Sequence, residues 1–411
     1  MREILKDTRI QRLFIANTMG SVGSGITIFA IPWLLVHRPD GNASFRTITV
    51  ITTVALMLVM PSYGAWIDRH SRKMALLAGE AWGFTATLSM ALLGIALGRF
   101  GTWQLMTIYF CGMSYYTLHY PAKFAFIQQI VPREQYQSLM GLLEVQGQIA
   151  MMIAGGLGAM LVDRVPLWSI LLFDASTYLF SFWLQASIPY QATHLKAEPP
   201  PGEARPGALT NILAGWRWLK ARPALALFLG CSLMPFIIVM VSNYLFPIYV
   251  SQTMHASSSL YGLGEIGFAL GAMAAGAFLP RLLAQARAYP AVVGCVTTFI
   301  AGLAMILCFR VPLAYALATL LMGFGTAGSR VARGTLMLHL VPPEVMGRVG
   351  IFYTIFDRML RTALVCAMVV IDWWGPPAGF AVLFVIALAA LAGIRVARGG
   401  VETPLAVPVP V

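Results

Sequence analysis

The sequence has 411 residues, of which 58% are hydrophobic and only 11% are charged. Soluble domains carry roughly 25% charged residues, so this composition excludes a soluble enzyme and predicts an all-α integral membrane protein. A formal net charge of +12 would indicate a nucleic-acid partner in a soluble protein. In a membrane protein the same surplus is typical of basic cytoplasmic loops, and no nucleic acid is expected to bind.

Twelve apolar segments follow one another along the chain, and each has the length of a membrane span. A helix needs about 20 such residues to cross the hydrocarbon core of a bilayer. The first segment is expected to be a spanning helix and not a cleaved signal peptide. The predicted spans cover residues 13–37, 46–67, 74–97, 103–122, 136–162, 167–188, 224–250, 258–280, 289–309, 312–332, 345–371 and 376–395.

A polar stretch separates the sixth span from the seventh. Its AEPPPGEARPG segment is rich in Pro and Gly and lacks apolar periodicity, which predicts a linker. The following LTNILAGWRWLKARP is basic and amphipathic, which predicts a short helix along the membrane surface. The predicted domains are therefore a six-helix half at 1–188, a cytoplasmic loop with this helix at 189–223, a second six-helix half at 224–398 and a disordered tail at 399–411.

The distribution of basic residues predicts the orientation of the chain. With the N-terminus inside, most Lys and Arg residues fall in alternate loops, which the positive-inside rule places in the cytoplasm. Both termini are therefore predicted to be cytoplasmic. The opposite loops hold only Arg38, Arg46, Arg99, Arg164 and Arg310.

The two halves of the chain share short sequence repeats. QQIVPREQYQSLMGL in the first half aligns with LHLVPPEVMGRVGIF in the second, and GAWIDR aligns with GAFLPR. Parallel repeats of this kind predict two pseudo-symmetric halves with a substrate site near the middle of the membrane, where the halves meet. Neither half has a filter-like loop, which argues against a channel.

The segment GAWIDRHSRK, residues 64–73, predicts a tight cytoplasmic turn. Gly64 permits close helix contact, Asp68 accepts hydrogen bonds, and Arg69 and Arg72 contact anionic headgroups. Together with the twelve spans, this segment resembles the G-x-x-x-D-R-x-x-R-K signature loop of the major facilitator superfamily. The resemblance implies a transporter that alternates access by rocking its halves, with these four residues in a conformational gate.

Further blocks resemble one branch of that superfamily, the macrolide-efflux and enterobactin exporters. They include SVGSGITIFAIPWLL, PAKFAFIQQIVPREQYQSLMGL and LLFDASTYLFSF. The resemblance implies a substrate/proton antiporter in the cytoplasmic membrane that exports a siderophore or a drug-like compound. Two departures are Ser24, where the branch often has an acid, and Gly155, where the antiporter motif has proline. The region around Pro121 and Glu144 also resembles lysophospholipid transporters, so a lipid transporter or flippase of the same fold is the alternative.

Several acids fall inside the predicted spans, where ionised groups are costly and commonly functional. Glu144 and Glu265 lie near mid-depth on the fifth and eighth spans, which the resemblance makes neighbours. We expect them to approach each other and to carry protons. Glu80 is interpreted as a gate or fold contact, and Asp174 as a hydrogen-bonded structural group.

The segment YTIFDRMLRT places three charges in the eleventh span. Asp357 and Arg361 are four residues apart on one helical face and are expected to neutralise each other. Arg358 points about 60° away from Arg361, and it either pairs with an acid on another helix or receives an anionic part of the substrate. The predicted substrate site comprises Asp357, Arg358, Arg361, Glu144, Tyr116, Tyr120 and Asn243.

No pattern typical of an enzyme or a metal site occurs in the sequence. The histidines and cysteines are dispersed, and no HExxH or GxxxxGK[ST] motif is present. We therefore expect no catalytic activity, cofactor, metal or disulfide. The expected partners are a small-molecule substrate, protons and membrane lipids, and the chain is expected to be a monomer.

Overall fold

The computed structural model of the chain describes residues 7–130, 136–190, 208–285, 288–371 and 374–402. Within these ranges the chain forms fifteen α-helices and no strand. The helices are α1 (Thr8–Val36), α2 (Gly41–Arg69), α3 (Arg72–Leu97), α4 (Thr102–Ile130), α5 (Tyr136–Leu161), α6 (Leu167–Ala186), α7 (Ala208–Lys220), α8 (Pro223–Ser232), α9 (Met234–Ile248), α10 (Ser258–Gln285), α11 (Ala288–Cys308), α12 (Pro312–Leu340), α13 (Pro343–Ile371), α14 (Pro376–Val396) and α15 (Gly399–Glu402).

Every predicted span coincides with helix, and α7 occupies the position of the predicted surface helix. The seventh span differs, because it is divided into α8 and α9 and ends in a π-helical turn, Tyr249–Thr253. Pro235 explains the division, since it has no N–H to donate to the carbonyl one turn earlier. The predicted tail begins with the helical turn α15, and residues 403–411 lie outside the described ranges.

The helices carry apolar side chains on their outer surfaces. Eight helical stretches among the described residues are long and apolar enough to cross a membrane. Large apolar side chains are widely exposed, including Leu313 at 72% and Trp183 at 67%. Water-soluble proteins rarely expose so much contiguous apolar surface, whereas lipid solvates it. The chain is therefore a multi-pass membrane protein.

The chain divides into two compact units. Unit 1 comprises Met1–Pro200 and Val250–Ile266, and unit 2 comprises Pro201–Tyr249 and Gly267–Val411. In unit 1, α1 packs against α4, α5 and α6, and α3 packs against α4 and α6. In unit 2, α11 packs against α12 and α14, while α9 packs against α12, α13 and α14. The polar side chains described below project into these two helix bundles.

Glycine permits a close helix contact inside unit 1. A Cβ atom added at Gly155 of α5 would lie 2.6 Å from the Cβ of Glu265, and one added at Gly262 would lie 2.7 Å from the Gly155 carbonyl oxygen. Real Cβ atoms do not approach other atoms so closely. The first turns of α10 can therefore pack on α5 only because both positions lack a side chain.

Replacing Gly155 with Ala is expected to destabilise unit 1 by about 1 to 3 kcal/mol, because the added methyl forces the two helices apart. The matched control is Gly147→Ala on the same helix, where an added Cβ meets nothing within 4 Å. Thermal unfolding in detergent measures both variants. Equal melting temperatures would contradict the assigned contact.

Candidate functional site

A buried carboxyl group, Glu80 of α3, lies at the centre of a polar cluster in unit 1. Only 1% of Glu80 is exposed. Its Oε1 accepts hydrogen bonds from the Tyr115 hydroxyl of α4 at 3.2 Å and from Gln185 Nε2 of α6 at 2.9 Å. His119 Nδ1 of α4 lies 3.3 Å from the same oxygen, at ion-pair distance but without the alignment of a hydrogen bond. Three helices thus converge on one carboxyl oxygen.

The imidazole of His119 extends the cluster to a fourth helix. Its Nε2 lies 3.3 Å from Asn17 Oδ1 of α1, and both side chains are buried. We call the five residues Glu80, His119, Asn17, Tyr115 and Gln185 the Glu80 cluster. The sequence predicts Glu80 as a gate or fold contact near the basic start of α3, and the structure gives it hydrogen bonds to α4 and α6, with His119 and Lys123 nearby.

A second buried carboxyl group lies in the same unit. Asp174 of α6 accepts a hydrogen bond from the Thr27 hydroxyl of α1 at 2.6 Å. A Cβ atom added at Gly23 would lie 3.0 Å from the other carboxyl oxygen, so this glycine allows α1 to approach Asp174. The interhelical hydrogen bond confirms the environment expected for Asp174 from the sequence.

The tyrosines predicted to bind substrate form a row on α4. The ring of Tyr116 lies 6.0 Å from that of Tyr120, which is 48% exposed. The Tyr116 hydroxyl is 2.9 Å from the Ser24 hydroxyl of α1, and Lys123 Nζ lies 4.6 Å from the centre of the Tyr120 ring. Ser24 occupies the position where the exporter branch often has an acid, and its hydroxyl contacts that of Tyr116.

Two of the three charged side chains of the YTIFDRMLRT segment in α13 form an ion pair, and the third, Arg358, lies beside that pair. Arg361 Nη2 donates to Asp357 Oδ2 at 2.6 Å, which confirms the expected pairing of residues four positions apart. Arg358 Nε is buried and has no hydrogen-bond partner among the described residues. The sequence left two alternatives for Arg358, and the part of unit 2 that is described offers its Nε no acidic partner.

Further positive charge lies close to this ion pair within unit 2. Arg333 of α12 donates through Nη1 to the Ser232 carbonyl at 3.1 Å. Asp357 is the acidic group that acts electrostatically on both Arg333 and Arg358. One carboxylate therefore faces three guanidinium groups, counting Arg361. The region carries excess positive charge and suits an anionic ligand.

Of the two glutamates predicted to carry protons, only Glu265 has a side chain within the described residues. Glu265 packs its Cβ against Gly155. Glu144 belongs to α5, but its side chain lies outside the described residues. The predicted approach of the Glu144 and Glu265 carboxyl groups therefore stays a prediction. Asn243 of α9 is exposed, as its predicted substrate contact requires.

The predicted gate motif is described only in part. The side chains of Gly64, Asp68 and Arg69 lie outside the described residues. Arg72 Nη1 donates to the Ala125 carbonyl of α4 at 2.8 Å, so this arginine contacts protein. The sequence assigned it to lipid headgroups.

A neighbouring lysine and an arginine stabilise the end of α6. Lys73 Nζ donates to the carbonyls of Ala186 and Ile188 at 2.6 and 2.8 Å, and Arg12 Nη1 donates to the Ser187 carbonyl at 2.6 Å. The last carbonyls of a helix have no intrahelical partner and attract cations. Some of the basic residues that set the predicted orientation therefore also cap a helix.

Three members of the Glu80 cluster were missed by sequence reasoning. His119, Asn17 and Gln185 belong to three different helices, so no spacing along the chain connects them. The available signal was that each is a polar residue within a predicted apolar span or at its end. Polar groups inside a bilayer commonly face the protein interior and pair with one another.

Comparison with known proteins places the chain in a transporter family. A sequence model of the Major Facilitator Superfamily matches residues 13–360. Enterobactin exporter EntS of Shigella boydii serotype 18 is 23% identical over 354 residues, which cover 83% of this chain and 80% of EntS. The uncharacterised MFS-type transporter YfiS of Bacillus subtilis (strain 168) is 21% identical over 217 residues, which cover 53% of this chain and only 50% of YfiS.

Solved structures share the fold. A mutant of the nucleoside transporter NupG superposes with a TM-score of 0.70 at 12% identity, covering 95% of this chain and all of NupG (100%). A bacterial homologue of the iron transporter ferroportin in its inward-facing state superposes with a TM-score of 0.64 at 14% identity, covering 97% and 100%. At such identities these likenesses establish the fold alone.

Replacing Asp357 with Asn is expected to destabilise the protein by about 1 to 3 kcal/mol, because it leaves the partly buried Arg361 without its counter-charge. The double variant D357N/R361Q removes both charges and is expected to recover part of that loss, since Arg333 and Arg358 still lack the Asp357 carboxylate. Thermal unfolding in detergent gives the stability of the wild type, D357N and the double variant. A double variant no more stable than D357N would show that the ion pair is not the stabilising interaction.

Proposed function

The chain belongs to the Major Facilitator Superfamily, and on that premise we propose that it is a secondary active exporter of a small amphiphilic compound, driven by proton antiport. A transporter of this family moves a small molecule and is not an enzyme. The proposed substrate is a siderophore or drug-like molecule that carries an anionic group. The proposed location is the cytoplasmic (inner) membrane of a bacterium, where export of this kind confers siderophore secretion or drug resistance.

The Nε atom of Arg358, buried and without a partner among the described residues, is the observation that carries this proposal. An unsatisfied buried Nε is costly in an apolar interior unless a ligand completes its hydrogen bonds. Its neighbour Arg361 is neutralised by Asp357 at 2.6 Å. Arg358 is therefore the proposed contact for a carboxylate, phosphate or other oxygen-rich group of the substrate, with Asp357 and Arg361 fixing its surroundings.

Aromatic side chains supply the apolar part of the proposed recognition. Tyr116 and Tyr120 form an adaptable apolar surface on α4 of unit 1. Asn243, exposed on α9 of unit 2, stays a proposed polar contact from the sequence. Planar rings bury large apolar area and still offer a hydroxyl. A ligand with an apolar body and an anionic group matches both kinds of residue, and the likeness to an enterobactin exporter over 83% of the chain supports a siderophore as such a ligand.

Three described carboxyl groups inside unit 1 support proton coupling. Glu80 and Asp174 are buried, and Glu265 packs at the glycine contact of α5. Intramembrane carboxyl groups commonly serve as proton carriers in transporters. Glu144 and Glu265 remain our proposed coupling residues from the sequence, each acting from its own position.

The proposed topology completes the mechanism. Twelve spans form two six-helix halves with both termini in the cytoplasm, the boundaries being those of the sequence analysis. The proposed gate consists of Gly64, Asp68, Arg69 and Arg72, and the chain works as a monomer. Arg72 supports a cytoplasmic gate because it already joins the start of α3 to α4.

A lysophospholipid transporter or flippase is the competing function. Lys123 beside the exposed ring of Tyr120 favours it, because a cation next to an exposed aromatic surface suits a phosphate headgroup with an acyl chain. Proteoliposomes with an imposed pH gradient distinguish the two when supplied separately with enterobactin, erythromycin and lysophosphatidylethanolamine. Transport of the lysophospholipid alone would replace the exporter proposal with the lipid one.

Replacing Arg358 with Ala is expected to weaken the apparent affinity for enterobactin by about tenfold or more, the loss of one charge-assisted hydrogen bond. Initial transport rates against substrate concentration give KM and kcat for each variant. The matched control is Met359→Ala at the adjacent position, whose side chain is 63% exposed. An unchanged KM in R358A would remove Arg358 from substrate binding.

Replacing Glu144 or Glu265 with Gln is expected to abolish transport driven by a pH gradient while leaving the protein folded, because an amide carries no titratable proton. Substrate accumulation in proteoliposomes is measured with an imposed pH gradient and again after a protonophore has collapsed the gradient. Val145→Ala, an exposed position on α5, is the control for substitutions on that helix. Undiminished gradient dependence in either glutamine variant would exclude that residue from the coupling.

A further inference from the structure

The Glu80 cluster contains one acid and one base that share a buried contact. Glu80 Oε1 and His119 Nδ1 are 3.3 Å apart, and both side chains are almost completely buried. The contact is at ion-pair distance, and proton sharing requires the two atoms to approach to about 2.6–3.2 Å. A carboxyl and an imidazole in this arrangement can hold one proton between them as a neutral unit.

Two amide side chains flank this pair, and each uses only half of its polar groups. Asn17 directs Oδ1 at His119 Nε2, while its Nδ2 has no hydrogen-bond partner among the described residues. Gln185 donates through Nε2 to Glu80, while its Oε1 is similarly unpartnered within the part of unit 1 that is described. Rotating either amide by half a turn exchanges a donor for an acceptor.

Those unused groups match a second protonation state of the pair. With the shared proton present, His119 Nε2–H donates to Asn17 Oδ1 and the pair is neutral. When that proton leaves, the remaining imidazole proton moves to Nδ1 and donates to the Glu80 carboxylate. Nε2 then becomes an acceptor, and the Asn17 amide rotates to donate through Nδ2. One proton is released and the charge of the pair changes from zero to −1.

We propose that Glu80 and His119 together form a proton-binding site of the transporter, and that Asn17 relays its protonation state to α1. This inference deepens the proposed proton coupling and rests on it, and it adds a site distinct from Glu144 and Glu265. Asn17 is a positioning residue, since it exchanges no proton with the site. The relay reaches α1, which packs against α4, α5 and α6.

Titratable and charged groups on two neighbouring helices face the pair. From α4 it faces Tyr115 and Lys123, and from α6 it faces Asp174 and Tyr178. Tyr115 already donates to Glu80. Asp174 is bonded to Thr27 of α1, so it belongs to a separate polar group. α1 itself contributes the uncharged Asn17.

Infrared spectroscopy of the purified full-length protein tests the site without a substrate. The C=O stretching band of protonated carboxyl groups is recorded against pH for wild type and Glu80→Gln. A titrating component is expected in wild type and is expected to be lost in E80Q. Identical titration curves for the two proteins would overturn the proposal. Asp40→Asn is the matched control, since this exposed carboxyl lies in a loop and Asn tolerates its positive φ.

Two further variants test the roles of the partners, including the case in which E80Q does not fold. His119→Gln removes the base and is expected to shift the midpoint of the Glu80 band, with the band itself retained. Asn17→Leu removes the amide oxygen and the amide NH2 of this side chain, and is expected to shift the midpoint of the Glu80 band in the same experiment. Unmoved midpoints in both variants would contradict proton sharing and the relay.

Transport separates this inference from the proposed function. In proteoliposomes supplied with enterobactin, E80Q is expected to lose accumulation driven by a pH gradient while still exchanging enterobactin at equal pH. Gradient-driven accumulation in E80Q as strong as in wild type would overturn the inference and leave the exporter proposal standing. A wild type that shows no gradient dependence with any probe would overturn proton-coupled export, and the infrared titration would still decide whether the pair binds a proton.

Discussion

The low dielectric of the membrane interior is the constraint on which the rest of this structure depends. An ionised or unpaired polar group there costs several kcal/mol, so each one must find a partner inside the protein. Several of the described polar residues obey this rule. Asp357 is matched by Arg361, Asp174 by Thr27, and Glu80 receives three close contacts on one oxygen.

The exceptions to that rule are therefore informative. Atoms buried without a partner among the described residues occur at Arg358 in unit 2 and at Glu80, Asn17 and Gln185 in unit 1. Isolated cases such as the Thr326 hydroxyl occur as well, but those of Glu80, Asn17 and Gln185 belong to side chains whose other polar atoms lie within the Glu80 cluster. An incomplete network of this kind is costly unless a ligand or a proton completes it in another state.

The two units hold different sets of charged side chains. Among the described residues, unit 1 buries Glu80, Asp174 and Lys123, whereas unit 2 buries the Asp357 carboxylate, with the partly buried Arg333, Arg358 and Arg361 near it. A carboxyl group can gain and lose a proton, whereas guanidinium groups keep their charge and bind anions. The proposed roles follow this difference, with proton binding assigned to residues of unit 1 and recognition of an anionic group to residues of unit 2.

Much of this protein follows from the sequence alone. Helix positions were predictable because lipid requires long apolar segments, and the pairing of Asp357 with Arg361 was predictable because residues four apart share a helical face. The break between α8 and α9 was overlooked, although Pro235 marks it.

The tertiary structure alone decided which distant residues meet. Glu80, His119, Asn17 and Gln185 come from four helices. Gly155 is required on α5 only because Glu265 of α10 packs against it. Periodicity along one helix specifies which face a side chain occupies, but not which helix covers that face or at what depth. Those choices depend on how whole helices pack, and so the proposed proton-binding pair could not be read from the sequence.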